Sequence, residues 1–291
     1  MVIYPEIPAT LLPLFKYFKL KASDQTGQIL KEFITLENWP KKGFEFSSDS
    51  AEEKGRAYLR AAFSCLKREE ILRLFSHTKF RASDLDGLMF ENSVDPCFGM
   101  GIADYKDTKE DARFKLYSVY LDAQKKVDQV KHIHDVCKRI GLDFSLVGKD
   151  LDSFKEMRAC SVDLYDNGVT GLKLYTPFLQ TEDILGQYSS VFDKSTLHKY
   201  EKLLHTGILP ETFLFCIRYG HSLRSARTDF SYRTTQVAPY LQAFDLSGAA
   251  TRLYQELLMV IPTIRLAYIS MDLDKRLRTQ FYFEGTPQTS D

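Results

Sequence analysis

The 291-residue sequence lacks an excess of charge of either sign, because Lys and Arg together number 39 and so do Asp and Glu. Proteins that bind DNA or RNA concentrate basic residues against the phosphates, and no such concentration occurs here. We therefore expect no nucleic-acid partner. Uninterrupted apolar runs of about 18 residues, the length that a membrane-spanning helix requires, are also missing, so we expect no membrane partner.

Paired cysteines are absent as well. The five cysteines, at positions 65, 97, 137, 160 and 216, are odd in number and include no CxxC pair. This pattern argues against a zinc ribbon or a disulfide framework and favours a reducing compartment. The N-terminal stretch MVIYPEIPATLLPLF has no basic segment, and three prolines interrupt it, so we expect no signal peptide. Together these features predict a soluble, cytoplasmic protein.

What the chain does contain is a repeated pattern of two extended segments joined by a polar turn. The sequence Asp166-Asn167-Gly168 is the strongest of these turn signals. The predicted hairpins cover residues 43–65, 97–121, 156–178, 211–233 and 263–285. Helical periodicity is found at 8–19, 23–37, 66–75, 125–141, 181–207 and 247–261. The segment 181–207 is predicted to form two helices, of which the second begins near Asp193 or Ser195 and ends at Gly207.

This order of elements predicts the fold. Strands joined by short turns pair antiparallel, which excludes a TIM barrel. Antiparallel strands covered by helices on one face are expected to close on themselves, because closure removes the exposed edges. The prediction is an α+β fold with one domain over residues 1–291: a closed ten-stranded antiparallel barrel ringed by helices. Ten strands should enclose more space than the eight that hold one small ligand.

The alternation of residues along the strands predicts what lines the barrel. Apolar residues such as Phe46, Leu116 and Leu172 share one parity and should face the helices. A wall of polar, aromatic and cationic residues indicates a ligand chamber. The opposite parity carries such residues: Glu45, Tyr58, Arg60, Lys115, Tyr117, Ser161, Asp163, Lys173, Tyr175, Tyr268, Ser270, Gln280 and Tyr282.

The five-fold hairpin–helix repeat, with Lys-x-Tyr in the second strands of two hairpins, resembles the αββα (ABBA) aromatic prenyltransferases. Within that family, two stretches resemble the cyanobactin (ribosomal cyclic-peptide) prenyltransferases. One runs from Ile3-Tyr4-Pro5 to Leu12-Pro13-Leu14-Phe15. The other is the first hairpin, in which Glu45 precedes Arg60.

The resemblance implies five αββα repeats (a PT barrel) and a prenyltransferase activity. The donor would be an isoprenyl diphosphate, in the first instance dimethylallyl (C5), and the acceptor an electron-rich side chain of a cyclic peptide. Glu45 would be the base at the acceptor, and Arg60 would contact the donor diphosphate. We also expect a magnesium ion bound to the diphosphate, with no metal site formed by protein side chains.

The barrel lysines and tyrosines that bind diphosphate and shield the allylic cation in this family map onto five residues. Hairpin four departs from the pattern, because Phe230 stands where a lysine is expected, while Tyr232 takes the tyrosine position. The implied set is Lys115 and Lys173 for the diphosphate, and Tyr117, Tyr175 and Tyr282, joined by Tyr232, for the cation.

The residues by themselves support the same chemistry. Burying a diphosphate requires several cations with good hydrogen-bond geometry. Arg60, Lys115, Lys173 and Arg218 come from four different strands. Tyrosine faces attract an allylic cation, and a closed barrel keeps water away from it.

Other functions fit the same pattern. One is the prenylation of free small aromatic metabolites, either indoles or phenols. Another is a non-enzymatic barrel that carries a hydrophobic ligand, although the inward cations argue against it. The third is a different enzyme on an open α+β sheet. The motif His132-x-His134 does not indicate a metal site, because residues two apart on a helix diverge.

Overall fold

The computed structural model describes residues 11–17, 25–35, 44–49, 56–61, 67–78, 80–85, 87–89, 97–105, 113–120, 125–154, 157–165, 168–176, 212–220, 224–245, 247–272 and 279–285. Ten strands occur within these segments, two in each predicted hairpin. They are β1 (Phe44–Asp49), β2 (Arg56–Ala61), β3 (Cys97–Tyr105), β4 (Arg113–Val119), β5 (Ala159–Tyr165), β6 (Gly168–Tyr175), β7 (Thr212–Tyr219), β8 (Arg224–Thr234), β9 (Arg265–Asp272) and β10 (Thr279–Gly285).

The strands pair antiparallel in the order β1-β10-β9-β8-β7-β6-β5-β4-β3-β2, and the sheet forms a closed barrel because β1 pairs with both β10 and β2. The pairing is shortest between β2 and β3. Within the described residues it joins Tyr58 to Tyr105 and Leu59 to Asp104. These observations confirm the predicted α+β class and its antiparallel sheet.

Most of the predicted helices are present, with shorter bounds. The two helices predicted at 181–207 lie outside the described residues. Helix α5 ends as predicted at Gly141, which takes a left-handed conformation with φ 68° that suits glycine. The described segments contain α1 (Leu12–Tyr17), α2 (Gln25–Phe33), α3 (Arg68–Phe75), α4 (Ala82–Leu85), α5 (Lys126–Ile140), α6 (Phe144–Ser153), α7 (Ala238–Phe244) and α8 (Ala249–Leu258).

Helices α4, α6 and α7 were not predicted from the sequence. The sequence of helix α6 does contain a start signal. The side chain of Asp143 caps its first turn by accepting a hydrogen bond from the Ser145 backbone N–H, and Val147 and Leu151 share its buried face. None of the helices in the described segments combines the length and the apolarity that crossing a bilayer requires.

The two faces of the sheet differ as the alternation predicts. The outer face forms one apolar core with the helices, in which Ile133 of α5 and Leu253 of α8 are buried. Burying each such side chain contributes about 1.5–3 kcal/mol. The strand residues in this core include Phe46, Leu116, Val162, Leu172, Ile269 and Phe281. The other face of each strand is therefore left to line the interior of the barrel.

The two histidines of the His132-x-His134 motif diverge as predicted. His132 is buried, and its Nδ1 lies 2.7 Å from the Tyr120 hydroxyl, which also donates to Cys160 Sγ. The side chain of His134 is 55% exposed. Burial lowers the pKa of His132 from 6.5 to about 4, so this imidazole is neutral at neutral pH.

This lowered pKa predicts a loss of stability in acid. Between pH 6.5 and 4 the unfolded chain binds a proton at His132 that the folded chain does not, so stability falls as the pH falls. The effect on the free energy of unfolding should reach about 2–3 kcal/mol near pH 4.5. Urea unfolding at pH 7.5 and about pH 4.5 measures it. The difference in unfolding free energy between the two pH values should shrink by this amount in His132→Gln. It should stay unchanged in His134→Gln. An unchanged difference in His132→Gln would contradict the assignment.

Candidate active site

Strands β4 to β8 place four cations on the inner face of the barrel. In the strand register, Lys115 of β4 lies opposite Asp163 of β5, and Lys173 of β6 lies opposite Arg218 of β7. Arg227 of β8 shares this face. Lys115 is 2% exposed and Lys173 6% exposed, although lysine is rarely buried so completely. We call Lys115, Lys173, Arg218 and Arg227 the cation cluster.

Asp163 lies against two members of the cation cluster. Its Oδ2 is 3.2 Å from Lys173 Nζ and 3.7 Å from Arg218 Nη2. The Asp163 side chain is 1% exposed, whereas that of Arg218 is 44% exposed. Arg218 therefore reaches from the accessible part of the inner face to a buried carboxylate.

A second carboxylate orients Arg227. Asp229 Oδ2 accepts a hydrogen bond from Arg227 Nη2 at 3.2 Å, and Ser270 Oγ donates to the other oxygen, Oδ1. Arg227 Nη1 donates to the Tyr282 hydroxyl at 3.3 Å, which in turn donates to Gln280 Oε1 at 2.7 Å. This network fixes the guanidinium between β8 and β10.

The cation cluster has a net positive charge, since four cations face the two carboxylates of Asp163 and Asp229. Burial lowers the pKa of Lys173; Asp163 opposes this shift, and the charges of Arg227 and Arg218 add to it. An anion bound here would relieve this repulsion. The cluster is therefore built for an anion that can accept several charge-assisted hydrogen bonds.

Tyrosines flank the cation cluster on the inner face. Tyr117 and Tyr175 have ring centroids 6.2 Å apart, and the Tyr175 hydroxyl lies 3.4 Å from Ser161 Oγ. Tyr268 and Tyr282 stack at 4.1 Å with their planes 16° apart. A desolvated cation held against such a ring gains about 2 kcal/mol. The inner face thus joins anion-binding groups to surfaces that attract a cation.

The absence of a side chain at Gly171 lets the backbone of β7 approach β6 closely at Tyr219. A Cβ at this position would lie 2.8 Å from the Tyr219 backbone oxygen and 3.9 Å from Arg218 Nε. Gly171 also lies opposite Asp163, next to a bulge in the β5–β6 ladder. Glycine in a strand often marks such a close approach. Here it accommodates the Tyr219 carbonyl of β7, while Arg218 Nε would remain at ordinary contact distance from a side chain at this position.

Glu45 lies on the inner face of the barrel, on a different strand from the residues of the cation cluster. Its neighbour Phe46 is buried in the outer core, so Glu45 projects from the opposite face of β1. In the strand register Glu45 lies opposite Arg60 on one side and Glu284 on the other. Glu284 forms an ion pair of 2.6 Å with Arg265. The side chain of Arg60 lies outside the described residues, so its predicted contact with the donor stays a prediction.

The interpretation of Tyr232 as an inward residue is wrong. Its ring packs 4.4 Å from that of Tyr240 in α7, and both Tyr232 and Phe230 belong to the outer core. The inward positions of this strand are held by Arg227 and Asp229. The predicted position of Tyr232 in hairpin four is one residue out of register with the other hairpins, and a shift of one residue moves every side chain to the other face.

The structure brings together most of the other predicted residues. Lys115, Lys173 and Arg218 share the cation cluster, and Tyr117, Tyr175 and Tyr282 border it. Arg227 is not among the predicted site residues, because the polar sequence of residues 221–227 indicates the turn of this hairpin, whereas β8 already begins at Arg224. The alternation of Arg227, Asp229 and Ser231 with Phe230 and Tyr232 was the signal that would have revealed it.

Comparison with known proteins places this arrangement in context. No protein-family model matches the sequence, and no curated protein is significantly similar to it. Solved structures do match. The prenyltransferase PriB in its apo form has a TM-score of 0.60 and 14% identity, covering 96% of this chain and 94% of PriB. The chain has the fold of a prenyltransferase.

Two further structures give the same result. The 5-dimethylallyltryptophan synthase from Streptomyces coelicolor matches with a TM-score of 0.61 and 11% identity, covering 96% of this chain and 95% of its own. NotF, solved with brevianamide F and DMSPP, matches with a TM-score of 0.60 and 11% identity over 98% of this chain and 99% of its own. The resemblance to αββα prenyltransferases is confirmed at the level of the fold, and the resemblance to the cyanobactin enzymes stays a prediction.

Proposed function

We propose that this protein is an αββα prenyltransferase that transfers an isoprenyl group, in the first instance dimethylallyl, from its diphosphate to an electron-rich acceptor. The observation that carries the proposal is the cation cluster bordered by tyrosines on the inner face of the barrel. The likeness of the fold to PriB and NotF supports it. The proposal implies five αββα repeats around the barrel.

In this proposal the cation cluster binds the donor diphosphate, together with Arg60. The bond between the allylic carbon and the diphosphate oxygen breaks, and its electron pair leaves with the diphosphate. The buried cations stabilise the negative charge that develops on the leaving oxygen. The faces of Tyr117, Tyr175 and Tyr282 then stabilise the allylic cation and exclude water from it.

The acceptor completes the reaction by attacking the allylic cation, which forms a new carbon–carbon or carbon–heteroatom bond. The attacking group then carries a surplus proton, and we assign its removal to Glu45. This carboxylate lies on β1, away from the strands that supply the cation cluster and directly opposite Arg60. It can therefore hold the acceptor beside the diphosphate that the cluster and Arg60 hold. A carboxylate also orients a phenol, an indole or a guanidinium by hydrogen bonding.

We propose a peptide side chain as the acceptor, and a free small aromatic metabolite as the alternative. Support for the peptide comes from Glu45, Glu284 and Arg265, which lie side by side across β1, β10 and β9. Glu284 and Arg265 are 33% and 46% exposed at the ends of their strands, so this end of the inner face is accessible from solvent. A larger acceptor could place one side chain at Glu45 and leave the rest outside.

Magnesium enters the proposal only as an ion carried by the diphosphate. The described residues include no group of three or more His, Cys, Asp or Glu side chains that could hold a metal. Asp163 and Asp229 already pair with cations. These two carboxylates are therefore already engaged, and no step above depends on the ion. We also propose a cytoplasmic location, since the buried free thiols of Cys137, Cys160 and Cys216 suit a reducing compartment.

Product analysis by mass spectrometry tests the function. The protein is incubated with C5 or C10 diphosphate, with either magnesium or a chelator, and with linear and cyclic peptides, free tyrosine, free tryptophan or a simple phenol. We expect a mass increase of one isoprenyl group on a peptide, and none with the Lys115→Met/Lys173→Met variant. Products from the free aromatics alone would favour the alternative. A folded protein that binds donor but modifies no acceptor would favour a ligand-carrying barrel.

A further inference from the structure

Asp163 is a carboxylate at the centre of a cluster built to bind an anion. It is almost fully buried, lies opposite Lys115 in the ladder, and contacts Lys173 and Arg218. A carboxylate here repels an incoming diphosphate, because like charges disfavour each other strongly at a buried site. A neutral asparagine would occupy nearly the same volume without this repulsion. The charge itself therefore needs an explanation.

We propose that Asp163 is the resident counter-anion of the donor site: it holds Lys173 and Arg218 in the empty barrel, and the donor diphosphate replaces it as their ion-pair partner. The inference rests on the prenyltransferase function proposed above. Asp163 is a positioning residue, since it acts through the two cations and does not touch the reacting atoms. Once transfer is complete, Asp163 pairs with the two cations again, and this assists the release of diphosphate.

The geometry suits such an exchange. Lys173 and Arg218 lie opposite each other on β6 and β7, so one anion can reach both. The distance of 3.7 Å from Arg218 Nη2 to Asp163 Oδ2 is too long for a strong hydrogen bond. Arg218 therefore loses little interaction energy with Asp163 when it binds a phosphate instead.

The exchange has a consequence for pH dependence. A protonated Lys173 attracts phosphate, so diphosphate affinity should fall as the pH rises through the pKa of Lys173. Asp163 counteracts the lowering of this pKa, so without Asp163 the fall should begin at a lower pH. The groups that surround Lys173 are Asp163 on β5, Arg218 and Cys216 on β7, Arg227 on β8, Lys115 beyond Asp163 on β4, and Tyr175 on its own strand.

Calorimetric titration with inorganic pyrophosphate between about pH 6 and 9 tests the proposal. At the acidic end, where the charged form of Lys173 is most populated, Asp163→Asn should bind pyrophosphate about tenfold more tightly than wild type. Its affinity should then fall at a lower pH than that of wild type. Asp163→Glu, which keeps the charge, should behave like wild type. Proteins are compared at equal pH, so the titration of pyrophosphate itself cancels.

Asp229→Asn is the matched control. It removes the other carboxylate of the cluster, which contacts Arg227, so it should leave the pH at which affinity falls unchanged. Weaker binding by Asp163→Asn at every pH would show a merely structural role and overturn the proposal. A wild-type protein that does not bind pyrophosphate would overturn the proposed function instead.

A second comparison covers the case in which Asp163→Asn does not fold. Removing both members of a buried ion pair is tolerated far better than removing one. The double variant Asp163→Asn/Lys173→Gln is therefore compared with the single variant Lys173→Gln. The double variant should bind pyrophosphate more tightly, because only the repulsion by Asp163 distinguishes the two. Equal or weaker binding would overturn the proposal.

Discussion

Replacing Glu45 with glutamine is expected to reduce prenyl transfer by about 10²–10⁴-fold, which is the usual contribution of a general base. Glutamine keeps the size and the hydrogen-bonding ability of the side chain but cannot take up the proton that the acceptor releases. Glu45 lies on the inner face of β1, whereas the cation cluster occupies β4 to β8. Binding of a non-reacting thio analogue of the donor should therefore stay close to wild type. Single-turnover transfer and calorimetric donor binding, measured on the same preparation, separate the two effects.

Glu284→Gln provides the comparison for this prediction. Glu284 lies directly opposite Glu45 in the ladder but is engaged by Arg265, so its loss should affect transfer only a few-fold. If Glu45→Gln itself transfers within a few-fold of wild type, the proton goes to another group, such as Asp163 or bulk water. If the two variants lose transfer activity equally, then Glu45 and Glu284 both bind the acceptor and neither is a distinct base.

Replacing Arg227 with glutamine is expected to weaken donor binding by about 2–5 kcal/mol, or roughly 30- to 5000-fold. Arg227 is largely buried, and Asp229 and Tyr282 hold its guanidinium in place. Its removal takes away one partner of the diphosphate and also leaves Asp229 with a negative charge that Ser270 alone must compensate. Both effects act against a bound anion. Calorimetric titration with the thio analogue of the donor measures the loss.

Arg224→Gln is the matched control, because it lies on the same strand with its side chain directed away from the inner face. Arg224 forms a bidentate pair with Asp150 of α6, at 2.7 and 2.8 Å. Its loss should lower stability slightly and leave donor affinity unchanged. If the two arginine variants lose donor affinity equally, the effect arises from the altered barrel and Arg227 does not contact the diphosphate.

Much of the fold could be predicted from the sequence because its signals are local. Alternation within a strand and polar turns between strands are properties of neighbouring residues, and they correctly placed Lys115, Tyr117, Lys173 and Tyr175 on one face. Long helices with a regular apolar face, such as α5, were equally visible. Helix α6 was missed because its capping residue, Asp143, was not recognised.

The candidate site was less predictable, because it depends on register between strands. Hairpin four shows why. The position of β8 relative to β7 and β9 is set by pairing across the sheet, including the bulge between Ser231 and Thr234. If β8 is shifted by one residue, Phe230 takes the inward position that Asp229 holds in the structure, and Tyr232 is also predicted to point inward. The ion pair of Asp163 with Lys173 joins two strands, so its distance could not be derived from spacing along the chain.

The short ladder between β2 and β3 bears on how the barrel opens. Every other junction in the described ring has at least four paired positions, whereas this one has two, Tyr58 with Tyr105 and Leu59 with Asp104. Backbone amides at a short ladder are released by small local fluctuations, so hydrogen exchange should be fastest there and slowest in β5 and β8. The barrel would then open first at this junction, beside the strand that carries Arg60. The strands of the cation cluster would stay hydrogen-bonded to one another.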